Sequence, residues 1–156
     1  MLAEAVVEGL ATLSALLAAT VNATAAAYGG WRWWRVAPDR WSWVLVRAGQ
    51  AAVIALALAA GIAWLSGSRP EDGLFWIYAL VPAGTSFFAE QFRVLSAQTV
   101  LDARDLPDAQ AVGRLPQDDQ QSIVLQIARR ELGIMALAAG VNAFLALRAA
   151  TEAGGL

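Results

Sequence analysis

Cysteine and histidine are both absent from this chain. That excludes disulfides, thiolate or imidazole metal ligation, histidine-held haem, and any Cys/His or Ser/His catalytic pair. Lysine is missing too: all 11 basic residues are arginine, so no lysine amine is available for a retinal or pyridoxal Schiff base. A surplus of positive charge is also lacking. The formal net charge of −2 leaves no basic face for nucleic acid. The lysine-free, alanine-rich usage points to a GC-rich bacterial genome. No cofactor, metal site or catalytic residue set is expected.

What the chain has in abundance is apolar length. Apolar side chains make up 58% of its 156 residues. They concentrate in runs at about 2–28, 43–65, 74–92 and 132–150, each near the roughly 20 residues that cross a bilayer as a helix. With about half its length in lipid, the chain has no room for a soluble domain of the usual ~100 residues. The expectation is therefore an all-α, polytopic membrane protein. Residues 1–156 should form a single domain, a bundle of four transmembrane helices. Segment 2–28 lacks a basic n-region and carries Glu4 and Glu8, so it reads as a retained helix rather than a signal peptide.

Orientation follows from arginine, because the positive-inside rule counts basic residues in short loops and near span ends. The first connection holds Arg32, Arg35 and Arg40, and the third holds Arg93, Arg104, Arg114, Arg129 and Arg130. The second holds only Arg69, and the C-terminus only Arg148. Both termini are thus expected outside a bacterial cytoplasmic membrane. Tryptophan supplies a ruler, since indoles settle at the headgroup level. Trp43 and Trp64 lie 21 residues apart, about 31 Å of helix, which matches a hydrocarbon core.

Residues 93–131 should form a helical hairpin in the cytoplasm, punctuated by Pro107, Gly113 and Pro116, with Asp118 capping the returning helix. Val94, Leu95, Val100 and Leu101 on one arm face Ile123, Val124 and Ile127 on the other, or else the headgroups. Residues 17–23 and 137–143 agree at six of seven positions. Such matches arise easily in Ala/Leu-rich helices, and the ruler sets Asn22 and Asn142 at different depths.

Depth along the helices defines the candidate site. Asn22, Arg47, Gln50 and Glu90 all fall roughly 6–11 Å below the cytoplasmic face at 1.5 Å per residue. Charge in hydrocarbon is costly, so Arg47 and Glu90 should face the bundle interior and each other, with Arg93 one turn away. Such a layer is either a hydrated vestibule for an ion or polar headgroup, or a structural ion pair with an interhelical Asn bond. Pro82 frees a carbonyl that Thr85, Ser86 or a neighbouring helix would compensate, and Asn142 should bond between helices. Asp102, Asp105 and Asp108 resemble a metal-diphosphate spacing only weakly, because Pro107 breaks the helix between them and no second acidic motif completes a metal clamp.

Five of the seven tryptophans interleave with arginine in Trp31, Arg32, Trp33, Trp34, Arg35, Arg40, Trp41 and Trp43. This collar suits the anionic cytoplasmic leaflet, at about 1 kcal/mol per basic residue. The function expected first is that of a non-catalytic accessory or scaffold protein. Its cytoplasmic side would contact anionic phospholipid or a membrane-protein partner. The alternative is a small homo-oligomeric transporter or channel built on the polar layer, and a lipid-modifying enzyme comes third.

Overall fold

A computed structural model describes residues 2–67 and 73–154, with side chains over 6–67 and 73–153. Among them it is all-α: α1 (Leu2–Trp34), α2 (Arg40–Leu65), α3 (Leu74–Asp102), a single turn α4 (Ala109–Val112) and α5 (Gln117–Gly154). The side chain of Glu4, and the whole of Ser68 and Arg69, lie outside the described residues. Three helices are long and apolar enough to cross a membrane: α1 over Val6–Trp34, α2, and α5 over Gln117–Ala153. Helix α3, expected as a fourth crossing, falls short of that measure. Trp76, Tyr78, Pro82, Gly84, Thr85, Ser86, Glu90 and Gln91 dilute its hydropathy.

The core is made of small residues. Ala11, Ala15 and Ala18 of α1 meet Leu56 and Ala60 of α2, Phe75 and Ala79 of α3, and Ala146, Ala149 and Ala150 of α5, all buried. Large apolar side chains point outward instead, among them Leu13, Leu17, Leu58, Leu137 and Phe144. This is the inverse of a water-soluble bundle, whose Leu and Phe are mostly inside. It fits a lipid solvent, where greasy exteriors are free of hydrophobic cost and close backbone approach drives association. Gly29 shows the approach: a Cβ there would stand 3.3 Å from Cβ of Ala136.

The long helices that follow one another in the chain run antiparallel, as do α1 and α5, whereas α2 and α5 run parallel. Phe75 at the start of α3 meets Ala146 near the end of α5, while Val100 and Leu101 at the end of α3 meet Ile123 near the start of α5. Trp64 closing α2 packs edge-on against Trp76 opening α3, ring centroids 5.2 Å apart. At about 1.5 Å per residue, α5 with its 38 residues is roughly 57 Å long, well beyond a hydrocarbon core of about 30 Å.

Helix ends explain the joints. Helix α1 runs six residues past the expected boundary at Tyr28 and stops in a Schellman turn, with Val36 at φ 53°, Ala37 N–H donating to Arg32 O and Val36 N–H to Trp33 O. Helix α3 ends the same way at Asp105 (φ 55°), where Leu106 N–H donates to Leu101 O and the two leucines share a cluster. Asp118 is not the cap of α5. The helix begins one residue earlier, so Asp118 and Asp119 sit in its first turn, where carboxylates favour the helix dipole. At the α3–α5 tip, Val100, Leu101, Ile123 and Ile127 pack with Leu106, Val112 and Leu115. Val94, Leu95 and Val124 remain exposed.

Candidate functional site

Glu90 is the hub of the polar layer. Its Oε1 accepts from Arg47 Nη1 and from Gln50 Nε2 (2.8 Å), and its Oε2 accepts from Arg93 Nε (2.9 Å). Arg93 Nη1 also lies 3.6 Å from Glu131 Oε1. Gln50 is fixed in turn, its Oε1 accepting from Arg47 at 2.6 Å. Two arginines and two glutamates thus alternate from α2 through α3 to α5. The expectation that Arg47 and Glu90 face the bundle interior is corrected. Arg47 is 54% exposed and Glu90 25%, so the pair lies on the outer seam between α2 and α3. A long arginine stem covers apolar surface while its head meets the carboxylate, which makes a seam position affordable in lipid.

Asn22 belongs to the same layer without joining that ladder. Its Nδ2 donates to Ala18 O (2.9 Å) in its own helix and to Gly49 O (3.0 Å) across the α1–α2 contact. On the other side, Asn142 Nδ2 donates to Ser86 Oγ at 2.9 Å, joining α5 to α3. Asn142 Oδ1 is buried and has no hydrogen-bond partner among the described residues. Asn22, Gln50, Ser86 and Asn142 border one internal cavity of ≈ 10 Å³, about the size of a single water. The two asparagines of the matching segments therefore sit side by side, not at different depths. Loop edges misplaced their midpoints because α1 and α5, at 33 and 38 residues, are both longer than a hydrocarbon core of about 30 Å requires. Thr85 does not compensate Pro82 either: its Oγ1 donates to Val81 O, not to the freed Tyr78 carbonyl, and Ser86 serves Asn142.

The collar comes apart in three dimensions. Trp31, Trp34 and Trp41 are exposed, as are Arg35 and Arg40, which have no ion-pair partner among the described residues. Arg32 is taken up internally, its Nε 3.3 Å from Asp39 Oδ2 in an ion pair without a linear hydrogen bond. Trp43 turns inward against Val46, Ala89 and Met135. Trp33 lies against α5, its carbonyl accepting from Arg129 Nε and its ring stacked under the same guanidinium at 5.3 Å.

Asp39 organises this end and was not singled out from the sequence, although an Asp after Pro38 at the head of an apolar run is an N-cap signal. Its Oδ1 accepts from Ser42 N (2.9 Å) and Ser42 Oγ (2.7 Å), and its Oδ2 accepts from Tyr28 OH (2.7 Å). These bonds, Ser42's foremost, lower the carboxyl from its ordinary value to about 2. The three hairpin aspartates are used locally: Asp102 accepts from Gln98, Asp105 forms the turn, and Asp108 caps α4 through Ala111 N. Among the described residues no group of three metal-binding side chains assembles. Comparison with family models, curated proteins and solved structures found no match to this chain.

Proposed function

We propose that this chain is an integral protein of the bacterial cytoplasmic membrane with four crossings, both termini outside, and the α3–α5 tip over residues 93–131 in the cytoplasm. Support for α3 as the fourth crossing comes from packing. It lies antiparallel between α2 and α5, with Phe75, Ala79 and Pro82 buried at the level of the alanine core. Its role is that of a non-catalytic accessory or scaffold protein whose cytoplasmic end holds anionic phospholipid or a membrane-protein partner.

One contrast carries this reading. The polar side chains inside the bundle are engaged locally, Asn22 by the Ala18 and Gly49 carbonyls and Asn142 by Ser86, around a cavity of only ≈ 10 Å³, which is too small for a substrate. Exposed Trp31, Trp34, Trp41, Arg35 and Arg40 crowd the α1–α2 end, and Arg129 reaches it from α5. The alternative, a homo-oligomeric transporter or channel, is favoured by the exposed seam at Arg47 and Glu90, where a path would run between copies. Native mass spectrometry of the detergent-solubilised complex tests both. Anionic lipid retained by wild type, together with adsorption to anionic vesicles that Arg35→Gln with Arg40→Gln lowers, is the expected result. A defined homo-oligomer whose flux disappears with Glu90→Gln would move the assignment to the alternative.

A further inference from the structure

A second feature at the same end is a groove of ≈ 690 Å³ over the face of α5 that bears Arg130, Gly133, Ile134 and Leu137. That spacing is i, i+3, i+4, i+7, a single helix stripe. Gly30 and Trp33 of α1 wall one side, and Ser96 and Thr99 of α3 the other. Its size is that of a small-molecule site, which typically runs about 300–1,000 Å³. Small residues create it. A Cβ on Gly30 would meet nothing within 4 Å, whereas one on Gly133 would strike Trp33 Nε1 at 2.8 Å. The Nε1–Cδ1 edge of the indole therefore sits close against α5 at Gly133, and the Arg129 guanidinium lies over the ring.

Charge at the groove is one-sided. Arg32, Arg47, Arg93 and Arg148 each have a carboxylate partner. Arg130 is exposed with no hydrogen-bond or ion-pair partner among the described residues, and no carboxylate lines the groove. Below that cation the lining turns apolar through Ile134 to Leu137, itself 73% exposed. A complementary occupant has an oxyanion at one end and an aliphatic chain at the other.

We propose that this groove binds one anionic phospholipid, its phosphate on the Arg130 guanidinium and an acyl chain laid along Gly133 and Leu137 toward the membrane centre. A guanidinium matches phosphate through paired N–H donors, more specifically than a diffuse basic surface does. This deepens the lipid-contact reading above and rests on its membrane placement. It differs in locating recognition at Arg130 and the groove, not at the collar.

The test uses the full chain in nanodiscs of phosphatidylcholine alone or with phosphatidylglycerol, followed by native mass spectrometry of retained lipid. Wild type is expected to keep one phosphatidylglycerol in preference to phosphatidylcholine. Arg130→Gln should weaken that retention about five- to tenfold. Gly30→Leu, which fills open space, should displace the lipid with the melting temperature maintained. Arg35→Gln with Arg40→Gln should leave the single retained lipid in place while lowering total vesicle adsorption. Equal retention of the two lipids, or an Arg130→Gln protein that holds phosphatidylglycerol as wild type does, overturns the site. If the collar pair alone abolishes retention, the groove fails while the collar reading stands. A polypeptide seated on the groove that Gly30→Leu expels also overturns it, in favour of a partner helix.

Discussion

Asn22 and Gly49 fit each other so closely that a single added methyl would break the contact: the side-chain amide donates to Gly49 O at 3.0 Å, and a Cβ on Gly49 would lie 2.7 Å from Asn22 Oδ1. The glycine is what lets α1 and α2 close around a buried polar group. The asparagine is what makes an otherwise poor helix residue useful there.

Gly49→Ala should therefore destabilise the protein by about 1–3 kcal/mol through overpacking, although alanine is the better helix former by about 1 kcal/mol. In an Asn22→Ala background the clash is gone, and the same substitution should become neutral or stabilising. Thermal unfolding in detergent of the two single variants and the double variant reads the sign. Destabilisation by Gly49→Ala in both backgrounds would show that Asn22 is not the neighbour that matters.

Arg47 and Glu90 should couple for a different reason. Removing one partner leaves an uncompensated charge at a lipid-facing seam, while removing both leaves none. Because Arg47 is half exposed, the coupling expected from Arg47→Met and Glu90→Gln is about 1–2 kcal/mol, below the value for a fully buried pair. Additive losses in the cycle would mean that the two do not touch. Strong coupling with unchanged host phenotype for Glu90→Gln would make the pair structural and deprive the transporter alternative of its best residue.

How far these contacts were legible depended on what each one needed. The apolar runs sufficed for an all-α chain with helices long and apolar enough to cross a membrane, because they report a solvent rather than a particular packing. Depth counting brought Arg47, Gln50 and Glu90 together, since 1.5 Å per residue applies to any helix. Which way Arg47 faces was not legible, because α2 carries small residues on both sides of it, as Ala48, Gly49 and Ala51 show. The Trp/Arg run looked like one surface in sequence. It divides because α1 continues helically through Trp34, which turns Trp33 toward α5 and Arg32 toward Asp39. Arg130 escaped notice as a site because only the groove distinguishes it from its paired neighbours.

Asp39 predicts an acid limb. Its carboxyl is lowered from 3.8 to about 2 in the folded protein by the Ser42 and Tyr28 hydrogen bonds. A depressed folded value means that the ionised carboxylate stabilises the fold fully above the unfolded value and that this contribution is lost as pH falls toward about 2. The difference in unfolding temperature between wild type and Asp39→Ala should be constant from pH 7 down to about pH 5, then shrink as pH falls toward about 2. A gap that holds constant down to pH 2 would exclude an ionised Asp39 as the α2 cap.

The four-crossing topology makes the sharpest prediction, because the chain contains no cysteine to give background labelling. Gly73 immediately precedes α3 and Gln110 lies in α4 beyond its other end, both exposed and separated by a 29-residue helix about 43 Å long. The arginine-rich connections converge at one end of the bundle, where Arg129 from α5 stacks on Trp33 of α1. On the proposed topology, which follows the positive-inside rule, that end faces the cytoplasm. Gly73→Cys should react with an impermeant maleimide in intact cells, and Gln110→Cys only after permeabilisation. If α3 instead lay along one face beside three crossings, both positions would label from the same side, and the four-crossing reading would end there.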